Sequence, residues 1–108
     1  MVEALTAGNF KIKIQKGLSV VDFWAEWCGP CKQLGPVYEA VSQDPEFKGK
    51  LAFFKLNTEE ASDLASEEGI RGIPCLIVYK DGKEVNRLVG FMPKEQLKEQ
   101  LKRAISGK

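Results

Sequence analysis

The stretch LSVVDFWAEWCGPCKQLGPVYEAVS, residues 18–42, changes character twice along its length. It begins as LSVVDFWA (18–25), a nearly continuous apolar run rich in β-branched and aromatic residues. Both alternating faces are apolar, Leu18, Val20 and Trp24 on one and Val21, Phe23 and Ala25 on the other. That pattern predicts an interior strand covered on both sides, with the carboxylate of Asp22 carried inside. WCGPCK (27–32) follows at once, and CKQLGPVYEAVS (31–42) then reads as a helix. Leu34, Val37, Tyr38 and Val41 recur along one helical face. Pro36 falls inside that helix and is expected to kink it, because proline removes a backbone donor and crowds the preceding turn.

Working outward, LAFFKLN (51–57) reads as a second buried strand, so 18–57 forms a strand–helix–strand unit with a right-handed parallel crossover. EEASDLASEEG (59–69) reads as a short helix closed by Gly69. CLIVYK (75–80) and EVNRLV (84–89) are two strands joined at Asp81-Gly82, a strong hairpin signal. Pro93 opens a last helix with Leu97, Leu101 and Ile105 as its buried stripe and Glu99 one turn before Arg103 as an ion pair. The first segment is ambiguous, since FKIKIQ alternates like a strand while Phe10 and Ile14 suit one helix face. The reading adopted is a short strand near Val2–Leu5 and a helix over about 7–15.

The chain has 108 residues, the size of one compact domain spanning 1–108, and its 44% hydrophobic content suffices for a core. Sixteen basic residues oppose fifteen acidic ones, interspersed, with a net charge of +1. No basic block suggests a nucleic-acid or membrane partner. The N-terminus lacks the basic-then-apolar build of a signal peptide, and no apolar run approaches membrane-spanning length, so the chain reads as cytoplasmic. There thiols are normally kept reduced, and a close cysteine pair is more often catalytic or metal-binding than structural.

Cys28 and Cys31 therefore admit three readings. A structural zinc site wants four Cys or His ligands, and this chain has no histidine and only one further cysteine. No metal is expected. A structural staple closing so short a loop would contribute only about 2 kcal/mol. The redox reading rests on position. Cys28 sits where a buried strand ends and a helix begins, facing unsatisfied backbone N–H groups and the positive end of the helix dipole. Both favour thiolate over thiol. Cys31, one turn inward and less exposed, is suited to resolve a mixed disulfide rather than to attack first. Pro30 lacks an N–H and pre-sets helical φ, which holds the two sulfurs close. Asp22 sits in a strand covered on both faces, so burial is expected to raise its pKa and let it exchange protons with Cys31; the plainer reading is a carboxylate that hydrogen-bonds a neighbour. Lys55 is the candidate charge partner for Asp22, against the alternative of a solvent-facing lysine.

VDFWAEWCGPCK (21–32) resembles the active-site signature of the thioredoxin family. KLN (55–57), GIRGIP (69–74), YKDGKEV (79–85) and VG (89–90) extend the resemblance over essentially the whole chain. Lowered thiol pKa values at helix starts are partly generalised from this family, so that agreement is not independent support. The resemblance implies an α/β fold, a central mixed five-stranded sheet flanked by four helices. It implies a monomeric protein-disulfide reductase recharged by a thioredoxin reductase, NADPH- or ferredoxin-linked, with no cofactor beyond the Cys28–Cys31 disulfide. Clients would be of the ribonucleotide reductase, peroxiredoxin or methionine sulfoxide reductase class. By position, Cys28 is the nucleophile, Cys31 the resolving thiol and Asp22 the buried carboxylate. Pro74 matches a cis-proline facing the disulfide, leaving the Ile73 backbone free to bond an extended client segment. Trp27, Gly29, Pro30, Gly72, Ile73, Gly90 and Phe91 match the surface that docks substrate, although Trp27 also suits ordinary packing.

Three features depart from the pattern, the short N-terminal segment with its first helix among them. Cys75 follows Pro74 where threonine is more usual; it reads as a small buried thiol, or as a third redox sulfur. Phe91-Met92-Pro93 is a bulkier apolar loop that either enlarges the docking surface or leads into the last helix. Two other functions compete: a disulfide oxidase or isomerase on the same fold, and a non-catalytic interaction module. The Gly-Pro pair between the cysteines speaks against the first, and the intact Cys28, Cys31 and Asp22 against the second.

Overall fold

Strand β2 (Leu18–Trp24) forms where the apolar run predicts it and lies at the centre of a five-stranded sheet. The structure is a computed structural model that describes residues 2–106. The other strands are β1 (Val2–Ala4), β3 (Ala52–Asn57), β4 (Cys75–Lys80) and β5 (Lys83–Val89), arranged in the order β1-β3-β2-β4-β5. β1 and β2 both run parallel to β3, whereas β4 is antiparallel to β2 and to β5. The sheet is mixed, as the resemblance implies.

Strict alternation along β2 divides the core into two layers. Val20 packs with Leu34, Tyr38 and Val41 of helix α2 (Gly29–Ser42) and with Leu97 and Leu101 of helix α4 (Lys94–Ile105). Val21 and Phe23 pack with Phe10 and Ile14 of helix α1 (Phe10–Ile14) and with Leu64 of helix α3 (Ser62–Glu67). Phe10 sets its ring edge-on to Phe23 at 6.2 Å and to Tyr79 at 5.6 Å. Helix α2 runs through Pro36 without interruption of its assigned span.

Several boundaries differ from the sequence reading. Helix α1 covers five residues rather than 7–15. Its start is delayed because Asn9 Oδ1 accepts the Thr6 N–H at 2.8 Å and Thr6 Oγ1 accepts the Asn9 N–H at 3.2 Å, which fixes a local turn. Helix α3 begins at Ser62, not residue 59, because the Asn57 side chain accepts the Glu59 N–H at 2.8 Å and its carbonyl accepts from Ala61. Gly69, with φ +71°, does close this helix, and the Ile70 N–H returns to the Ala65 carbonyl at 3.0 Å. In α4 the third buried position is Ala104, while Ile105 is only half-buried. The anticipated Glu99–Arg103 pair is not among the ion pairs of the described residues. Instead Lys98 meets Asp44 at 2.8 Å and Glu46 at 3.0 Å, and Lys102 meets Glu46 at 2.6 Å, tying α4 to the turn after α2. The β4–β5 hairpin turns at Asp81 (φ 51°) and Gly82 (φ 86°), the two positive φ values a two-residue type I′ turn requires.

Antiparallel pairing of β2 with β4 is what assembles the site. Phe23 lies opposite Cys75, so the C-terminal end of β2 and the N-terminal end of β4 share one edge of the molecule. Cys28 leaves the first and Pro74 enters the second.

Candidate active site

Cys28 is the N-cap of α2, in extended backbone conformation (φ −91°, ψ 108°). Its Sγ accepts the N–H of Cys31 at 3.2 Å, one of the amides a helix start leaves unpaired. Pro30 occupies the first turn, where its missing donor costs no intrahelical bond. The two sulfurs are bonded as a disulfide, with the Cα atoms 5.2 Å apart. Exposure does not separate the pair, contrary to the sequence reading: Cys28 is 5% exposed and Cys31 4%. Surroundings do. Cys28 Sγ lies 3.7 Å from the Ile73 carbonyl oxygen, whereas Cys31 lines a partly open cavity together with Asp22.

That cavity, of about 200 Å³, is bordered by Asp22, Trp24, Cys31, Tyr38, Glu39 and Lys55 among others. Asp22 is 4% exposed, and its Oδ1 has no hydrogen-bond partner among the described residues. The plainer reading of Asp22 as a satisfied hydrogen-bonding carboxylate therefore lacks support at that atom. Burial pushes its pKa up to about 7, and the positive charge of Lys55 pulls weakly the other way. Lys55 is directly opposite Asp22 in the β2–β3 register yet makes no ion pair with it among the described contacts. Its exposed ammonium lies 5.6 Å from the Trp24 ring centroid. Lys55 faces solvent, and its charge acts to lower the Asp22 pKa. The Tyr38 hydroxyl sits 2.6 Å from the Phe54 carbonyl and 3.1 Å from that of Val20, so its proton serves the backbone.

Around the mouth, the Ile73–Pro74 bond is cis and Pro74 is buried. Gly90, at φ +96°, donates its N–H to the Pro74 carbonyl at 2.9 Å, which brings the Gly90–Phe91 segment against the Ile73 segment. Gly29, Pro30 and Gly72 are exposed, and Ile73 is half-buried against the cysteine pair. Trp27 is 70% exposed, which excludes the packing role for its ring, and Phe91 is 44% exposed. Met92 behaves differently from its neighbour and joins the core beside α4. One member of this apolar rim was missed: Val89, 60% exposed, sits within reach of Gly72, whose hypothetical Cβ would meet Val89 Cγ1 at 3.3 Å. As a strand residue it carried no signal of its exposure. Cys75 is 1% exposed and belongs to the α1/α3 layer, not to the cysteine pair. Burial pushes its thiol pKa up, so both its location and its protonation favour the inert reading.

The thioredoxin family model matches residues 1–103. The chain belongs to the thioredoxin family. Thioredoxins of Staphylococcus aureus strains Mu50 and MW2 are each 44% identical to it over 97 residues, covering 90% of this chain and 91% of theirs. The crystal structure of Malassezia sympodialis thioredoxin matches with a TM-score of 0.83 at 36% identity, covering 97% of this chain and 90% of that one. The mixed five-stranded sheet with four helices is the thioredoxin fold. With the Cys28–Cys31 pair intact, this thioredoxin-family chain is a dithiol–disulfide oxidoreductase working by thiol–disulfide exchange.

Proposed function

We propose that residues 1–108 act as one thioredoxin domain that reduces disulfides of client proteins in the cytoplasm. The observation that carries this reading is Cys28 Sγ at the helix N-cap, accepting an N–H and flanked by the Ile73 carbonyl and an exposed apolar rim. A sulfur so placed is stabilised as thiolate once reduced. The Cys28 thiolate attacks one sulfur of a client disulfide, the client S–S bond breaks, and the departing sulfur takes up a proton. Cys31 then attacks Cys28 Sγ, the mixed disulfide breaks, and the Cys28–Cys31 bond forms while the second client sulfur departs as thiolate and takes up a proton, leaving the client as a dithiol. Asp22, with a pKa near neutrality and a shared cavity, accepts the Cys31 proton as that thiol attacks. Lys55 holds the Asp22 pKa from rising further.

Trp27, Gly29, Pro30, Gly72, Ile73, Pro74, Gly90 and Phe91 form the docking surface, to which Val89 is added. The amides of Arg71, Gly72 and Ile73 make no backbone hydrogen bond among the described residues, which leaves them free for an extended client segment. Two electrons return from a thioredoxin reductase, and clients are disulfide-forming enzymes of the ribonucleotide reductase, peroxiredoxin or methionine sulfoxide reductase class. No further cofactor is required, and the chain works as a monomer. Insulin reduction tests the reading. Cys28→Ser should abolish turnover, whereas Cys31→Ser should accumulate mixed disulfides with clients in a cell extract. Unchanged turnover in either variant would overturn it, and a reduction potential well above that of the cytosolic thiol pool would favour a disulfide oxidase instead.

A further inference from the structure

The loop that faces the disulfide has backbone hydrogen bonds at its ends and, among the described residues, none between. Residues 70–74 run from the end of α3 to the start of β4, and Arg71, Gly72 and Ile73 donate no backbone hydrogen bond among the described residues. Downstream, the Pro74 carbonyl is held by the Gly90 N–H. Upstream, in addition to the Gly69 and Ile70 N–H bonds back to the Ser66 and Ala65 carbonyls, the chain is gripped from β5 by one side chain. Arg87 Nη2 donates to the Glu68 carbonyl at 2.6 Å and Nη1 to the Gly69 carbonyl at 3.0 Å, which satisfies acceptors that a helix C-terminus leaves unpaired. The same guanidinium is fixed in a bidentate pair with Glu84, Nε to Oε2 at 2.9 Å and Nη2 to Oε1 at 2.9 Å. The Glu68 side chain is tied in turn, accepting the Tyr79 hydroxyl at 2.6 Å.

We propose that Arg87 is a positioning residue for client binding, clamping the 68–69 corner so that Gly72 and Ile73 are presented to the client beside Cys28. Arg87 and Val89 stand two residues apart on β5 and so share a face, one holding the loop's root and the other touching Gly72. An exposed ion pair alone would contribute little. Here the fork's planar geometry matters more than its charge, because four N–H···O contacts fix one orientation. Releasing the clamp lowers the fraction of molecules whose loop is ready to bind, and apparent affinity falls by that fraction. The inference rests on the reading that 72–74 docks clients.

The test uses the reduced 108-residue chain with insulin as protein substrate and hydroxyethyl disulfide as a small one. Arg87→Ala should raise the insulin KM about three- to tenfold, leave kcat and the hydroxyethyl disulfide rate within about twofold, and lower the amide order parameters of Arg71, Gly72 and Ile73. Arg87→Lys, which keeps the charge and loses the fork, should not restore KM. Glu84→Gln should give a smaller rise in a less perturbed chain. An unchanged KM in the Arg87 variants, or equal slowing of both substrates, would overturn the clamp. Gly72→Leu is the discriminating arm: if it raises KM while the Arg87 variants do not, only the clamp fails. If it also leaves KM unchanged, the docking reading fails and takes the clamp with it.

Discussion

Replacing Asp22 with asparagine should stabilise the oxidised protein, and the gain should appear only as pH rises. Asp22 is 4% exposed, and burial lifts its pKa from 3.8 to about 7. At low pH the carboxyl is protonated whether the chain is folded or not, and ionisation imposes no penalty. Between the two pKa values the folded chain holds a proton that the unfolded chain has released, so stability falls as pH increases. Above about pH 7 the folded protein carries a buried carboxylate with the full penalty. A shift of about three units at roughly 1.4 kcal/mol per unit amounts to about 4 kcal/mol, an upper limit. Guanidinium denaturation of both proteins across the range from about pH 3 to pH 8 should show the stability gap opening by a few kcal/mol. Each kcal/mol corresponds to roughly 4–8 °C in Tm for a chain of this size. Any fixed difference between an amide and a carboxylic acid cancels in the pH-dependent part. So do the carboxyls of Asp44 and Glu46, which hydrogen bonds from Lys98 and Lys102 hold low in both proteins. A gap that stays flat with pH, or closes as pH rises, would refute the reasoning.

Lys55→Met removes a charge that lowers the Asp22 pKa, so the pH midpoint of that stability loss should move upward, as read from the same titration. Alkylation of the native reduced protein should label Cys28 well before Cys75, which is 1% exposed; prompt labelling of Cys75, read by peptide mass, would revive its redox role. Tyr38→Phe deletes a buried hydroxyl bonded to the Phe54 carbonyl and should cost about 1–2 kcal/mol in denaturation with little change in insulin reduction. Gly82→Ala places a side chain at φ +86° and should cost about 1–2 kcal/mol, measured the same way.

The elements of this fold whose signals are local were legible in the sequence. The two-sided apolar run gave β2, the 3.6-residue spacing of Leu34, Tyr38 and Val41 gave the buried face of α2, and Asp81-Gly82 gave the hairpin. The boundaries that slipped did so where a side chain captured the backbone, as Asn9 does before α1 and Asn57 before α3. Glu99 was paired with Arg103 because only neighbours one turn apart are visible in a sequence. Asp44 and Glu46, distant in the chain, lie against Lys98 and Lys102 instead.

For the site, the sequence by itself determined the chemistry: two thiols at a strand-to-helix junction, a carboxylate inside the strand, and a proline ahead of the next. These follow from spacing and periodicity, which act over one or two turns of chain. Tertiary structure alone decided what surrounds them. Exposure fails to distinguish Cys28 from Cys31, and only their different neighbours do, Ile73 for one and the Asp22 cavity for the other. Cys75 was adjacent to the site in sequence, yet strand alternation turns it into the opposite layer. Val89 and Arg87 read as ordinary strand residues, and it is the antiparallel pairing of β5 with β4 that sets one beside Gly72 and the other beneath residues 68–69. Contacts between segments so far apart in the chain depend on register and packing, which no local pattern encodes.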